Sequence, residues 1–217
     1  MADQQTMIPR SASTLLGETM PNFTARTTQG VKSLADFRGR WLVLFSHPAD
    51  FTPVCTSEFV AIARAADQFA ALDCALMALS VDSLYSHFAW LRMIHETFGV
   101  TVEFPVIEDP TLEIARAWGM VAPDATDASN VRATYVIDPS GVLRATTCYP
   151  AEIGRSVDEI LRIVAALQRV ESRPVLTPAD WTPGEALLQA PDPTLHGVLD
   201  AARAIDWFYR PVEDGRA

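Results

Sequence analysis

The apolar positions of this chain fall into runs that do not alternate. Trp41–Phe45, Cys74–Val81 and the shorter Phe104–Ile107 are close to continuously apolar, the pattern of strands covered on both faces. Between them the period changes. From Cys55 to about Leu72, the residues Phe59, Ile62, Ala66 and Phe69 recur at helical spacing and predict one amphipathic helix. Ser86–Phe98 predicts a second helix closed by Gly99, and Thr111–Trp118 a third closed by Gly119. Ala133–Ile137 and Val142–Cys148 flank Asp138-Pro139-Ser140-Gly141 and predict an antiparallel hairpin. Ser156 then caps a helix to about Glu171, with Val157, Ile160, Leu161, Val164 and Leu167 on one face. Upstream, Asn22–Thr28 reads as a hairpin arm before Gln29-Gly30, and Leu34–Gly39 as a turn or short helix. The order is β-α-β, then α, then β-β-α. That is an α/β chain whose strand–helix–strand unit requires a right-handed crossover.

The ends read differently. Residues 1–20 form a polar lead-in, and Val121–Asn130, rich in Asp and Ala, reads as a loop. After Arg173 the prolines 174, 178, 183, 191, 193 and 211 punctuate the tail, where Leu195–Tyr209 is the one plausible helix. This predicts a main domain over residues 1–171 and a C-terminal extension over 172–217.

Composition narrows the function classes. The chain has 217 residues, 49% of them hydrophobic, enough for one sizeable core. A formal charge of −10 without a basic run argues against a nucleic-acid partner and against an anionic membrane surface. No apolar run approaches the ~20 residues of a membrane span. No signal-peptide pattern opens the sequence, so the expected location is cytoplasmic. The three cysteines, Cys55, Cys74 and Cys148, include no C-x-x-C pair and do not form a disulfide framework. The histidines His47, His87, His95 and His196 form no Cys/His cluster, so no metal site is expected. His87 and His95 read as ordinary surface or half-buried residues.

Cys55 carries the chemistry. The strand Trp41–Phe45 ends in Ser46, His47, Pro48 and Asp50. Thr52 then stands as N-cap, with Pro53 at the first helical position. Cys55 falls in the first turn, where free amides and the helix dipole favour a thiolate. An arbitrary cysteine is more often a small buried residue. The spacing P-x-x-x-T-x-x-C, the polar neighbours His47 and Asp50, and the place after an apolar strand all point instead to a reactive sulfur.

FSHPADFTPVCTSEF resembles the peroxidatic-cysteine motif of the peroxiredoxins, and S-H-P with T-P-V-C-T is similar to their 1-Cys subgroup. The resemblance runs from about Leu16 to about Thr182 and includes ALSVDS, FPVIEDP and YPAEIGRSVDEILR. It implies a thioredoxin-like fold with a small C-terminal extension. It also implies a thiol peroxidase that reduces hydrogen peroxide and alkyl hydroperoxides without a cofactor. Arg132, in Val131-Arg132-Ala133, would stabilise the thiolate and bind peroxide, and Pro48 would shield the sulfur from water. Trp90 would lie near the pocket, with His47 and Arg155 at its rim. Relatives pair sheet edges into dimers, so a homodimer or higher homo-oligomer is expected. Relatives that resolve the sulfenic acid internally hold extra cysteines in the tail. Residues 172–217 have none, so the reductant is expected to be an external thiol, a small thiol or a redoxin protein. Some members hydrolyse phospholipids with a Ser before the strand's Trp. Arg40 stands there, and that activity is not expected.

Two other readings compete. One is a thioredoxin-fold chaperone or redox-sensing binding module with an incidental cysteine. The other is a thiol hydrolase, which needs a base and its orienting group beside the cysteine. His47 is close in sequence, with no evident partner.

Overall fold

The computed structural model describes residues 16–121, 132–203 and 205–215. The expected loop lies outside the described residues except for Val121, as does most of the polar lead-in. The chain divides into two compact units, one ending at Arg155 and the other beginning at Ser156.

The first unit is built on seven strands: β1 (Thr24–Thr27), β2 (Gly30–Ser33), β3 (Trp41–Ser46), β4 (Cys74–Ser80), β5 (Val106–Glu108), β6 (Arg132–Ile137) and β7 (Leu143–Tyr149). Their order across the sheet is β2-β1-β5-β4-β3-β6-β7. β3, β4 and β5 run parallel, while β6 pairs antiparallel with β3, and β7 with β6. Every residue of β3 and β6 is buried, which is why β3 reads as an apolar run from Trp41 to Phe45, while β6 also buries Arg132 and Thr134. Leu42, Leu44, Met77, Leu79, Ile107, Tyr135 and Ile137 share one core with Trp118 and Met120. The Asp138 carboxylate closes the β6–β7 turn by accepting from the amides of Ser140 (2.9 Å) and Val142 (3.0 Å).

Four helices connect these strands: α1 (Pro53–Arg64), α2 (Ala66–Ala71), α3 (Leu84–Phe98) and α4 (Glu113–Ala117). The single helix expected to about Leu72 is two. Ala65 leaves helical geometry at φ −93°, ψ 4°. Neither Gly nor Pro marks the break, so composition could not reveal it. α3 is capped by the Ser83 side chain and ends on Gly99 in the left-handed conformation, φ 64°. α4 is shorter than expected because Leu112 precedes it at φ 60°, outside the right-handed helical region.

The second unit holds α5 (Val157–Ser172) and α6 (Leu195–Leu199) with three short strands. These are β8 (Val175–Leu176), β9 (Leu187–Gln189) and β10 (Pro211–Val212), antiparallel in the order β10-β9-β8. Val175, Trp181 and Leu187 form its core against Ala165, Ala166 and Val212. α5 groups with this unit rather than with residues 1–155. The helix expected over Leu195–Tyr209 is only one turn or so long. α6 buries none of its residues, and a helix without a packed face has little to extend it.

Candidate active site

β3 aims its C-terminal end at the N-terminus of α1, and the loop 47–52 joins them. Pro48 is half-buried in that loop. Phe51 adopts φ 56° with 55% of its surface exposed. Such a conformation costs an aromatic residue ~1–3 kcal/mol, and it sets the entry of the chain into α1. Thr52 has the extended backbone of an N-cap, but its side chain makes no capping bond. Its hydroxyl donates instead to the Ala49 carbonyl, 2.9 Å away. The Thr52 proton is therefore committed, and its hydroxyl oxygen is left to accept. The amides of Val54 and Cys55 have no carbonyl behind them within the helix.

Cys55 is fully buried. The Arg132 guanidinium, at the first position of β6, donates to its sulfur at 3.5 Å. The same guanidinium donates to Ala151 O at 2.7 Å and to the Glu58 carboxylate. Glu58, one turn beyond Cys55 on α1, also accepts from Arg155 through Nε (2.9 Å), Nη2 (2.8 Å) and the backbone amide (2.7 Å). Arg155 donates further to Ser46 O (3.1 Å) and Ala133 O (2.9 Å), and its guanidinium lies 4.9 Å from the Phe45 ring centroid. It thus ties the ends of β3 and β6 together beneath the cysteine. Burial alone would push the Glu58 carboxyl up. The hydrogen bonds and charge of Arg155, joined by Arg132, outweigh that and hold it below the ordinary carboxylate range. Two guanidiniums thus face one carboxylate and one sulfur. The cluster of Arg132, Arg155 and Glu58 holds one guanidinium more than it has carboxylates.

On the other side stands a chain of three buried polar groups. His47 Nε2 lies 2.9 Å from Asp50 Oδ1, and His87 Nδ1 lies 2.7 Å from Asp50 Oδ2. Desolvation would raise the Asp50 carboxyl. The two imidazole hydrogen bonds overcome this and hold it at about 2. Burial pushes the His47 imidazole below its ordinary value, against the pull of Asp50. Trp90 closes this wall: its indole N–H donates to Thr56 Oγ1 at 3.2 Å, and its ring sits 5.3 Å from His47 and 4.5 Å from Phe59.

Each expected site residue thus falls in or beside one site, but not all in the expected role. His47 and Arg155 are not at the rim; they are buried at 0% and 7% exposure. His87 is no ordinary surface residue, because α3 delivers it fully buried to Asp50. His47 does have an orienting partner, Asp50, three residues along. Glu58 is the functional residue that the sequence reading missed. Its signal was there, a lone carboxylate on the apolar face of α1 beside Phe59 and Ile62. His47, Asp50 and Asp82 hold three donor atoms within 4.8 Å of one another. Those atoms are already engaged: Asp82 Oδ2 accepts from the Asp50 amide (2.8 Å) and the Ser80 hydroxyl (3.1 Å).

The AhpC/TSA family profile matches residues 16–146, and that of the C-terminal domain of 1-Cys peroxiredoxin matches residues 166–201. Peroxiredoxin 2 of Picrophilus torridus is 47% identical over 188 residues, covering 87% of this chain and 92% of that protein. The chain belongs to the peroxiredoxin family. A peroxiredoxin of Aquifex aeolicus is 50% identical over 169 residues, covering 77% of this chain and 76% of its own. Among solved structures, a yeast mitochondrial 1-Cys peroxiredoxin superposes with a TM-score of 0.82 at 34% identity, covering 92% of this chain and 99% of that one. A cysteine-to-serine mutant of peroxiredoxin 6 from Arenicola marina gives 0.78 at 37% identity, covering 85% and 87%. The fold is accordingly thioredoxin-like with a C-terminal extension, and this peroxiredoxin is a thiol peroxidase, an oxidoreductase. The chaperone or binding-module alternative is not favoured.

Proposed function

We propose that Cys55 is the nucleophile of this peroxidase, that Arg132 stabilises it and the peroxide, and that an external thiol completes turnover. The observation that carries this is the Arg132–sulfur contact of 3.5 Å inside a cluster of two guanidiniums and one carboxylate. The thiolate attacks the terminal oxygen of hydrogen peroxide or an alkyl hydroperoxide. An S–O bond forms as the O–O bond breaks, and the departing oxygen takes a proton to leave as water or an alcohol. Negative charge moves from sulfur onto two oxygens. The Val54 and Cys55 amides and the Arg132 guanidinium are the donors that meet it. Thr52 orients the peroxide through its free lone pairs, and Pro48 limits water at the sulfur. Two external thiols then return the sulfenic acid to the thiol, releasing water and a disulfide.

The placement of the other cysteines favours an external reductant. Cys74 is 3% exposed on β4, and burial pushes its thiol up to about 12. Cys148 sits on the outermost strand β7, held in register opposite Ala133. The yeast relative is described as resolved via glutathione/thioredoxin systems, which favours a small thiol or a redoxin as partner. β7 is also the reason to expect a homodimer. Residues 17–20 bond to Gly141 and Leu143 at its start, but among the described residues no strand covers the outer side beyond Leu143, and an open edge tends to pair. A reducing, cytoplasmic location suits an exposed free thiol at Cys148.

Stopped-flow loss of hydrogen peroxide on mixing with the reduced protein tests the assignment. The account expects rapid consumption of one equivalent by the wild type and by Cys148→Ser, and none above background by Cys55→Ser. Consumption by Cys55→Ser would move the activity to another residue.

A further inference from the structure

The first turn of α1 lacks the bond that an N-cap threonine ordinarily supplies. The Thr52 side chain bonds back to Ala49 O and caps nothing. The first carbonyl of the helix, Thr52 O, instead takes two donors from one residue. The Thr56 amide reaches it at 2.9 Å, as helical geometry requires, and the Thr56 hydroxyl reaches it at 2.7 Å. The ring so closed, Thr52 to Thr56, contains Cys55. A hydroxyl bonded to the carbonyl four residues back competes with the amide and tends to bend a helix. In this turn the hydroxyl belongs to the residue that follows the sulfur.

The Thr56 hydroxyl is also held from outside the helix. The Trp90 indole N–H donates to its oxygen at 3.2 Å. An indole N–H only donates and a carbonyl only accepts, so the hydroxyl does one of each and its proton has a single place. Trp90 is a firm anchor. It is fully buried on α3, and its ring lies 4.5 Å from Phe59 and 5.3 Å from His47. Ser57 supplies the contrast. Its hydroxyl bonds back to Val54 O at 2.7 Å on the same turn, but it does so on the exposed face. Two hydroxyls thus brace one turn, and α3 grips one of them.

We propose that Thr56 is a positioning residue for the peroxidase reaction: its hydroxyl, gripped by the Trp90 indole, fixes the Thr52–Thr56 turn and so holds the Cys55 sulfur against Arg132. The sulfur meets Arg132 at 3.5 Å, a distance with no slack to lose. The Val54 and Cys55 amides belong to the same turn and are aimed by it. A small rotation of the turn therefore moves the nucleophile and its donors together, and misplacement of this kind is costly to a rate. The inference rests on Cys55 being the nucleophile, and its test separates the two ideas.

The test joins kinetics to the indole signal. Thr56→Val keeps the branched shape and removes the hydroxyl. It should lose at least about fivefold in the second-order rate constant for hydrogen peroxide, the rate equivalent of one net hydrogen bond. Thr56→Ala, a better helix former, should show the same loss and carries the comparison if the valine variant does not fold. Thr56→Ser keeps the hydroxyl and should stay within about twofold of wild type, as should Ser57→Ala, which removes only the exposed brace. In a Trp90→Phe background, Thr56→Val should cost less than about twofold more, because the two act through one bond. In proton–nitrogen NMR, the indole resonance that Trp90→Phe abolishes should move upfield in Thr56→Val and hold its place in Thr56→Ser. A Thr56→Val or Thr56→Ala rate within about twofold of wild type, a Thr56→Ser rate as slow as theirs, an equal loss in Ser57→Ala, or an unmoved indole resonance would each overturn the proposal. If Cys55→Ser still turned over peroxide, the nucleophile assignment would fail instead.

Discussion

Cys55 and Cys74 are both free cysteines, both almost without exposed surface, and both at a junction of strand and helix. Cys55 begins a helix after β3; Cys74 begins β4 after α2. Their surroundings separate them. Cys55 meets a guanidinium at 3.5 Å and the unpaired amides of α1. At Cys74 burial outweighs a backbone hydrogen bond from Val43 and the charge of the exposed Arg40, and pushes the thiol up to about 12. Burial by itself makes a cysteine inert. It makes one reactive only when the chain also buries a positive charge in excess, and the Glu58–Arg132–Arg155 cluster supplies that excess.

The sharpest way to break this comparison is to exchange serine into each position. In a Cys148→Ser background, which removes the exposed thiol, Cys55→Ser should abolish labelling by a thiol reagent at neutral pH along with peroxide reduction, and Cys74→Ser should change neither. Next comes Glu58→Gln, which leaves two buried guanidiniums without a carboxylate. It should cost ~3–5 kcal/mol of stability in chemical denaturation. Arg132→Ala keeps the Glu58–Arg155 pair and should leave the fold intact. It should slow sulfenic acid formation ~100- to 1000-fold in stopped flow, the usual loss for one donor to a developing oxyanion.

Asp50 gives a smaller and pH-dependent effect. Its carboxyl sits at about 2 in the fold against a reference of 3.8. Its contribution to stability, on the order of 2 kcal/mol, is therefore complete above about pH 4 and vanishes as the pH falls toward 2. The stability gap between wild type and Asp50→Asn should narrow across that window. The smallest effect is that of Cys74→Ala, about 1 kcal/mol in stability with an unchanged peroxidase rate.

The strands and the candidate nucleophile could both be read from sequence because both leave local signatures. β3 and β6 are buried on both faces and read as apolar runs, and Thr52-Pro53 marks the start of α1. The cluster that surrounds the sulfur is not local. Glu58 reaches Arg155 across 97 positions, and Asp50 reaches His87 across 37. No spacing rule joins such residues. Arg132 was found only through the likeness to other peroxiredoxins. His87 was misjudged because its spacing from His95 says nothing of what α3 packs against. The break at Ala65 and the early end of α6 were hidden for another reason. Both depend on packing, and Ala65 and residues 200–204 are compatible with helix on composition alone.

The contrast between the two cysteines, and the external reductant it implies, meet in one measurement. The fully reduced protein is mixed with one equivalent of hydrogen peroxide, trapped with a sulfenic acid reagent, and read by intact mass and on a non-reducing denaturing gel. The account predicts one trapped sulfenic acid per chain, mapped to Cys55, in a chain that still migrates as a monomer. A Cys55–Cys74 or Cys55–Cys148 disulfide as the main product, within one chain or between two, would contradict it.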